Sequence, residues 1–112
     1  MRTVVHLIQD DAEDRKSALA ITKNLTEDDS VELDAVAVVA QGPGIEAVRN
    51  DAAVSEHVES LLDDGVSITA CQNTMDMHDL TEADLVDGIQ TAPSGVGELT
   101  RLQSDGYAYI RP

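Results

Sequence analysis

Asp34-Ala35-Val36-Ala37-Val38-Val39-Ala40-Gln41-Gly42-Pro43-Gly44 is the stretch on which the fold turns. A short, nearly all-apolar run bounded by turn residues reads as a strand buried on both faces, the pattern of a parallel sheet covered by helices. Gly42-Pro43-Gly44 ends the strand, and Pro43 suits the first turn of a following helix. Upstream, Thr3 to Ile8 is rich in β-branched residues and reads as a strand. Asp10 and Asp11 are cap candidates for a helix over 12–27, where Ala18, Leu19, Thr22 and Leu25 share one face. Downstream, two helical pieces are expected around 44–50 and 53–64. In the second, Val54, Val58, Leu61 and Leu62 align, and Gly65 sits where a helix end favours glycine.

Val66 to Cys71 reads as a third strand, Asn73 to His78 as a short helix or turn, and Glu82 to Val86 as another helical piece ended by Gly88. Ile89 to Ala92 is a short strand. Ser94 to Asp105 is helical, with Val96, Leu99 and Leu102 at a spacing of three, and Tyr107 to Ile110 is the last strand. Five strands separated by helices imply βαβ units, hence an α/β fold on a parallel sheet covered on both faces. Ligands of such sheets gather at the carboxyl ends of the strands. The loops there are Gln9–Asp11, Gln41–Gly44, Cys71–Met75 and Pro93–Gly97, so Cys71 and the glycine turns are expected in one patch.

The chain of 112 residues fits one domain, 1–112, with no repeat or linker. Leu, Ile and Val make up 28 residues, enough for an aliphatic core despite a formal charge of −15, and the only aromatics are Tyr107 and Tyr109. Twenty-two acids against seven bases repel phosphate backbones and anionic lipid, so neither nucleic acid nor a membrane surface is an expected partner. The longest apolar run, 35–40, is too short to span a bilayer, and the apolar residues near the start fall short of a signal peptide. A cytoplasmic protein is expected. Asp outnumbers Glu 14 to 8 and only Lys16 and Lys23 are lysines. This balance suits a salt-adapted surface, because self-repulsion fades when molar salt shortens the Debye length to about 3 Å.

Cys71 is the only cysteine, so no disulfide framework exists. It ends a strand and precedes a helix start, where backbone N–H groups favour thiolate over thiol. The competing reading is a small packed hydrophobe, which spacing alone favours because isolated thiols are commonly buried. No Lys or Arg lies within twenty residues of it. Activation must therefore come from backbone dipoles, a histidine or a neighbouring subunit. A redox Cys-x-x-Cys pair is absent because Thr74 holds the second place, and Met77 stands where a phosphatase-type loop needs arginine. His6, His57 and His78 lack zinc-ligand spacing, so no metal or cofactor is expected. His6 and His57 read as packed core residues, while His78, seven residues past Cys71, is a candidate partner for the thiol. Gly42, Gly44 and Ala47 match a loose dinucleotide fingerprint, but the acid expected at the end of the next strand is missing. A tight strand-to-helix turn is the simpler reading.

Three segments together resemble the DsrE/DsrF-like family of small sulfur-handling proteins. They are Gly42-Pro43-Gly44-Ile45-Glu46-Ala47-Val48, Gly65-Val66-Ser67-Ile68-Thr69-Ala70-Cys71-Gln72-Asn73-Thr74-Met75, and Pro93-Ser94-Gly95-Val96-Gly97-Glu98-Leu99 leading to Gln103-Ser104-Asp105-Gly106-Tyr107-Ala108-Tyr109-Ile110-Arg111-Pro112. The resemblance implies a three-layer α/β/α fold on a five-stranded parallel sheet, assembled as homo-oligomers, trimers or hexamers. It implies a sulfur carrier or sulfurtransferase component that holds sulfur as a persulfide on Cys71 and exchanges it with donor and acceptor proteins. It maps Gly42 and Gly44 to the family's glycine turn as architecture. Asn73, Thr74, His78, Ser94 and Gly95 complete the candidate pocket. Where the sulfur-relay branches place basic residues soon after the cysteine, this chain has Asp76 and His78. The alternative function is an oligomeric small-ligand or scaffold module with Cys71 as a pocket wall.

Overall fold

The apolar run becomes the central strand of a five-stranded, all-parallel sheet in the computed structural model, which describes residues 1–112. The strands are β1 (Arg2–Leu7), β2 (Ala35–Ala40), β3 (Ser67–Cys71), β4 (Gln90–Ala92) and β5 (Tyr107–Ile110), in the order β4-β3-β2-β1-β5. Between them lie α1 (Ala12–Thr26), a 3₁₀ helix (Gly42–Val48), α2 (Ser55–Asp63), α3 (Gln72–Met77), a second 3₁₀ turn (Glu82–Asp84) and α4 (Gly95–Ser104).

Strand alternation divides β2 between two apolar clusters. Val36, Val38 and Ala40 join the larger one with Val5, Leu7, Ile68, Leu19, Val58, Leu61 and Met75, beneath α1, α2, α3 and the long 3₁₀ helix. Ala37 and Val39 face the other way and pack with Val4 and Leu99, with Leu102 and Tyr107 at the margin. The chain steps outward from β1 to β4, then reverses to lay β5 beside β1 on the opposite edge. A right-handed crossover that reverses direction must pass over the opposite face, and so α4 alone forms the third layer. Three layers around a parallel sheet are what the sequence predicts.

Element by element, the differences from the sequence are local. Asp11 does cap α1, its carboxylate accepting from the N–H groups of Glu13 and Asp14. The segment expected as a helix over 44–50 is instead a 3₁₀ helix, because its end is captured by another strand-like segment. Arg49 forms an antiparallel bridge with Leu85, the Val86 N–H donates to the Val48 carbonyl, and the Asn50 N–H donates to that of Asp84. His57, expected in the core, is exposed on α2, because its neighbour Val58 takes the inward position on the helix. Val96, expected on the inner stripe of α4, is 62% exposed, leaving Leu99 as the residue that anchors the helix to the sheet.

Candidate functional site

Cys71 closes β3. Ile68 and Ala70 point into the larger cluster, so alternation turns Thr69 and Cys71 toward the α4 side. Cys71 pairs in register with Ala92, the last residue of β4, and α4 begins three residues further on. The starts of α3 and α4 therefore meet over one sulfur atom. The residue is 4% exposed, yet it belongs to neither apolar cluster.

Its surroundings are hydrogen-bond donors. Burial is the largest single influence on the thiol and pushes its pKa up. Against this act the Thr74 hydroxyl and the backbone N–H groups of Thr74, Gly95 and Asn73, and together they bring it below the ordinary thiol value. Each donor has a local cause. Cys71 occupies the cap position of α3 in extended conformation, which leaves the first N–H groups of that helix without carbonyl partners. The Thr74 hydroxyl accepts from the Gly42 N–H at 3.0 Å, so its own proton is free to go to the sulfur. Gly42 makes this approach with φ of +54°, a conformation glycine adopts without strain. Ser94 caps α4 by accepting from the Gly97 N–H at 3.0 Å, and this sets the first turn in which the Gly95 N–H faces Cys71.

At two further glycines a side chain would meet a neighbour, backbone in one case and a side chain in the other. A Cβ on Gly44 would lie 1.9 Å from the Leu7 carbonyl oxygen, so only glycine lets the 3₁₀ helix lie against the end of β1. A Cβ on Gly95 would meet the side chain of Gln41, 2.8 Å from its Oε1.

The structure thus brings Gly42, Asn73, Thr74 and Gly95 to Cys71, with Ser94 and Gly44 holding the turns. His78 is not brought in. It is exposed at the far end of α3, roughly 10 Å along the helix from the cap at 1.5 Å per residue. There it faces a surface depression with Arg15, Gly42, Pro43, Glu46 and Met77. No three His, Cys, Asp or Glu side chains converge as metal ligands. Gln41 escapes the sequence reading as an individual residue, although its position between a buried strand and a glycine turn is the available signal. His6 is buried as expected, with both ring nitrogens engaged, by Tyr109 at 2.5 Å and Gln41 at 2.7 Å.

A three-layer sheet protein with a single buried thiol at the strand ends, beside the starts of two helices, is the class that fold and site define. The chain belongs to the DsrE/DsrF-like family, whose model matches residues 3–112. Among solved structures it is similar to MTH1491, a protein of unknown function from Methanobacterium thermoautotrophicum, at 33% identity and a TM-score of 0.90 over 99% of this chain and 98% of that one. It is similar in fold to BT1422, a conserved protein of unknown function from Bacteroides thetaiotaomicron (17% identity, TM-score 0.80, covering 99% and 94%). It is also similar in fold to the ychN protein of E. coli (16% identity, TM-score 0.73, both chains covered in full). No curated protein matches it.

Proposed function

We propose that the protein is a sulfur carrier or sulfurtransferase component that holds sulfur as a persulfide on Cys71. The carrying observation is the place of Cys71 at the end of β3 and the cap position of α3, where the Thr74 hydroxyl and the Thr74, Gly95 and Asn73 N–H groups lower its pKa against the effect of burial. A thiolate is the species that attacks sulfur. Its Sγ attacks the outer sulfur of a donor persulfide, forming a new S–S bond as the donor's own S–S bond breaks. The donor leaves as a thiolate and takes its proton from solvent. An acceptor thiolate then attacks the outer sulfur on Cys71, and Cys71 is released as the thiolate it began as. No net oxidation occurs, and no resolving cysteine is needed.

Family membership supports this reading, as does the exposure of two apolar side chains on the helices that start at the site. Met77 on α3 is 82% exposed and Val96 on α4 is 62% exposed. They offer apolar ground to a donor or acceptor protein, or to a second copy in a homo-oligomer, a trimer or hexamer, working in the cytoplasm. No helix is long and apolar enough to cross a membrane.

The test is intact-mass spectrometry after incubation with a small persulfide donor. One added sulfur is expected on the wild type, released by an acceptor thiol and absent in Cys71→Ser. A wild type that gains no sulfur from any persulfide donor overturns the proposal. One observation favours the second reading, a ligand-binding module with Cys71 as wall, and that is its 4% exposure. On that reading Cys71→Ser keeps ligand binding intact.

A further inference from the structure

Three polar side chains, buried His6, half-buried Gln41 and the more exposed Tyr109, are joined across the strand ends and take no part in the chemistry above. His6 comes from β1, Gln41 follows β2, and Tyr109 comes from β5. An amide oxygen can only accept, so the His6 Nε2–H donates to Gln41 Oε1 at 2.7 Å, and Nδ1 accepts from the Tyr109 hydroxyl at 2.5 Å. This fixes one neutral tautomer of the ring. Burial foremost holds the ring's pKa below the ordinary histidine value, and the nearby Arg111 charge works the same way, against the Gln41 bond.

Gln41 is where two lines of contact divide. Its side chain lies against the α-carbon of Gly95, filling the space a Cβ would take with Oε1, Cδ and Cβ at 2.8, 2.9 and 3.1 Å from that point. Its carbonyl carbon is bonded to the Gly42 nitrogen, whose N–H holds the Thr74 hydroxyl. Gly95 and Thr74 are both among the groups that lower the Cys71 pKa, and Cys71 ends the strand just ahead of α3 in register with the last residue of β4, three residues before α4. One residue therefore governs the two sides of the cradle, through its side chain on α4 and through its own peptide on α3.

We propose that His6 is a positioning residue for Cys71. By fixing Gln41, it sets both the Gly95 peptide and the Thr74 hydroxyl against the sulfur. The inference rests on the sulfur-carrier reading for its purpose, but it concerns the ionisation of the thiol rather than the loading of sulfur. It explains why a glutamine at a strand end is bound to a buried histidine, and why Gly95 lacks a side chain. A packing role alone needs neither hydrogen bond.

The test is the titration of the Cys71 thiolate by its ultraviolet absorbance in His6→Phe, Gln41→Ala and the double variant, with folding checked by circular dichroism. Each single variant is expected to lower the thiolate fraction at neutral pH by about three- to tenfold, the scale of one ordinary hydrogen bond. The double variant should lose no more than Gln41→Ala, because His6 acts through Gln41. Folded single variants with the wild-type titration, or losses that simply add, overturn the proposal. Should either variant unfold, the wild type decides. The His6 ring nitrogen resonances should inflect at the pH where Cys71 ionises and lose that inflection in Cys71→Ser, and a flat response overturns the proposal. A shifted thiolate pKa without sulfur loading would refute the carrier function and leave this inference standing.

Discussion

Thr74→Val removes one oxygen and changes little else in shape, so it isolates what the hydroxyl does for Cys71. In the native protein that hydroxyl accepts from the Gly42 N–H at 3.0 Å, and it is the largest of the influences that lower the Cys71 pKa. A hydrogen bond to a charged group contributes about 1.5–3 kcal/mol. A factor of ten in an equilibrium corresponds to about 1.4 kcal/mol, so the thiol's pKa should rise and its ionisation at a given pH should fall by about tenfold or more. Burial already pushes this thiol up, and only the four donors bring it below the ordinary value. Without the strongest of them it should return toward or above the ordinary thiol value. The thiolate at neutral pH, and with it the initial rate of sulfur uptake, should fall by at least tenfold. The assay is thiolate absorbance against pH, with Thr74→Ser as the control that keeps the hydroxyl and restores the titration. The orphaned Gly42 N–H adds a stability loss of about 1 kcal/mol, read separately in urea. A folded Thr74→Val protein whose Cys71 titrates as in the wild type would refute the idea that these donors make the thiolate.

Gly44→Ala should destabilise by about 3 kcal/mol or more, because its Cβ would meet the Leu7 backbone at 1.9 Å, and backbone cannot step aside as a side chain can. Gly65→Ala meets nothing within 4 Å and carries only the strain of φ +87°, about 1 kcal/mol; equal urea midpoints for the two variants would contradict this ranking. His6 has a folded pKa below its unfolded value of about 6.5, so the unfolded chain takes up its proton first. The stability held by neutral His6 is therefore complete above that pH and lost as pH falls below it. His6→Phe should flatten this part of the acid limb, and an unchanged slope would argue against it. With a formal charge of −15, stability should rise between low and molar salt, and equal thermal midpoints across that range would remove the salt-adapted reading.

The layers of this fold were legible because the sheet is buried on both faces. Residues 35–40 could hardly be anything else, and Ala18-Leu19-Thr22 on α1 and Val58-Leu61 on α2 carry their inward faces openly. Pattern failed where contacts between distant segments decide. Residues 48–50 leave the helix because residues 84–86 supply carbonyls and N–H groups for them, which no local window contains. Val96 fits a helical stripe, but it sits in the first turn of α4, past the edge of what the sheet covers. The site was legible as Cys71 itself and as three of the four expected loops, those at 41–44, 71–75 and 93–97, since these follow from the carboxyl ends of the strands. Its inner wiring was not. Nothing in sequence spacing links His6 to Gln41 thirty-five residues away, or Gly42 to Thr74 thirty-two away. His78, chosen for its nearness in sequence, lies at the wrong end of a helix.

The absence of a cation near Cys71 looks at first like an argument against a reactive thiol. No Lys or Arg lies within twenty residues of it in sequence, and no ion pair involves it. The surface around it carries a large negative excess. The groups that lower its pKa instead are neighbouring short-range dipoles, a hydroxyl and backbone N–H groups. Contact hydrogen bonds from largely buried groups are screened little by salt, whereas a surface lysine a Debye length away would be nearly silent in molar salt. If molar salt is what so acidic a chain needs to fold, the same salt would cancel the usual electrostatic activation of a cysteine. A thiolate held by Thr74, Asn73 and Gly95 keeps its pKa under those conditions. The titration of Cys71 should accordingly shift little between moderate and molar salt, even as the stability of the whole domain changes. If instead its pKa tracked the salt concentration as steeply as that stability does, the net charge rather than these four donors would be what sets it.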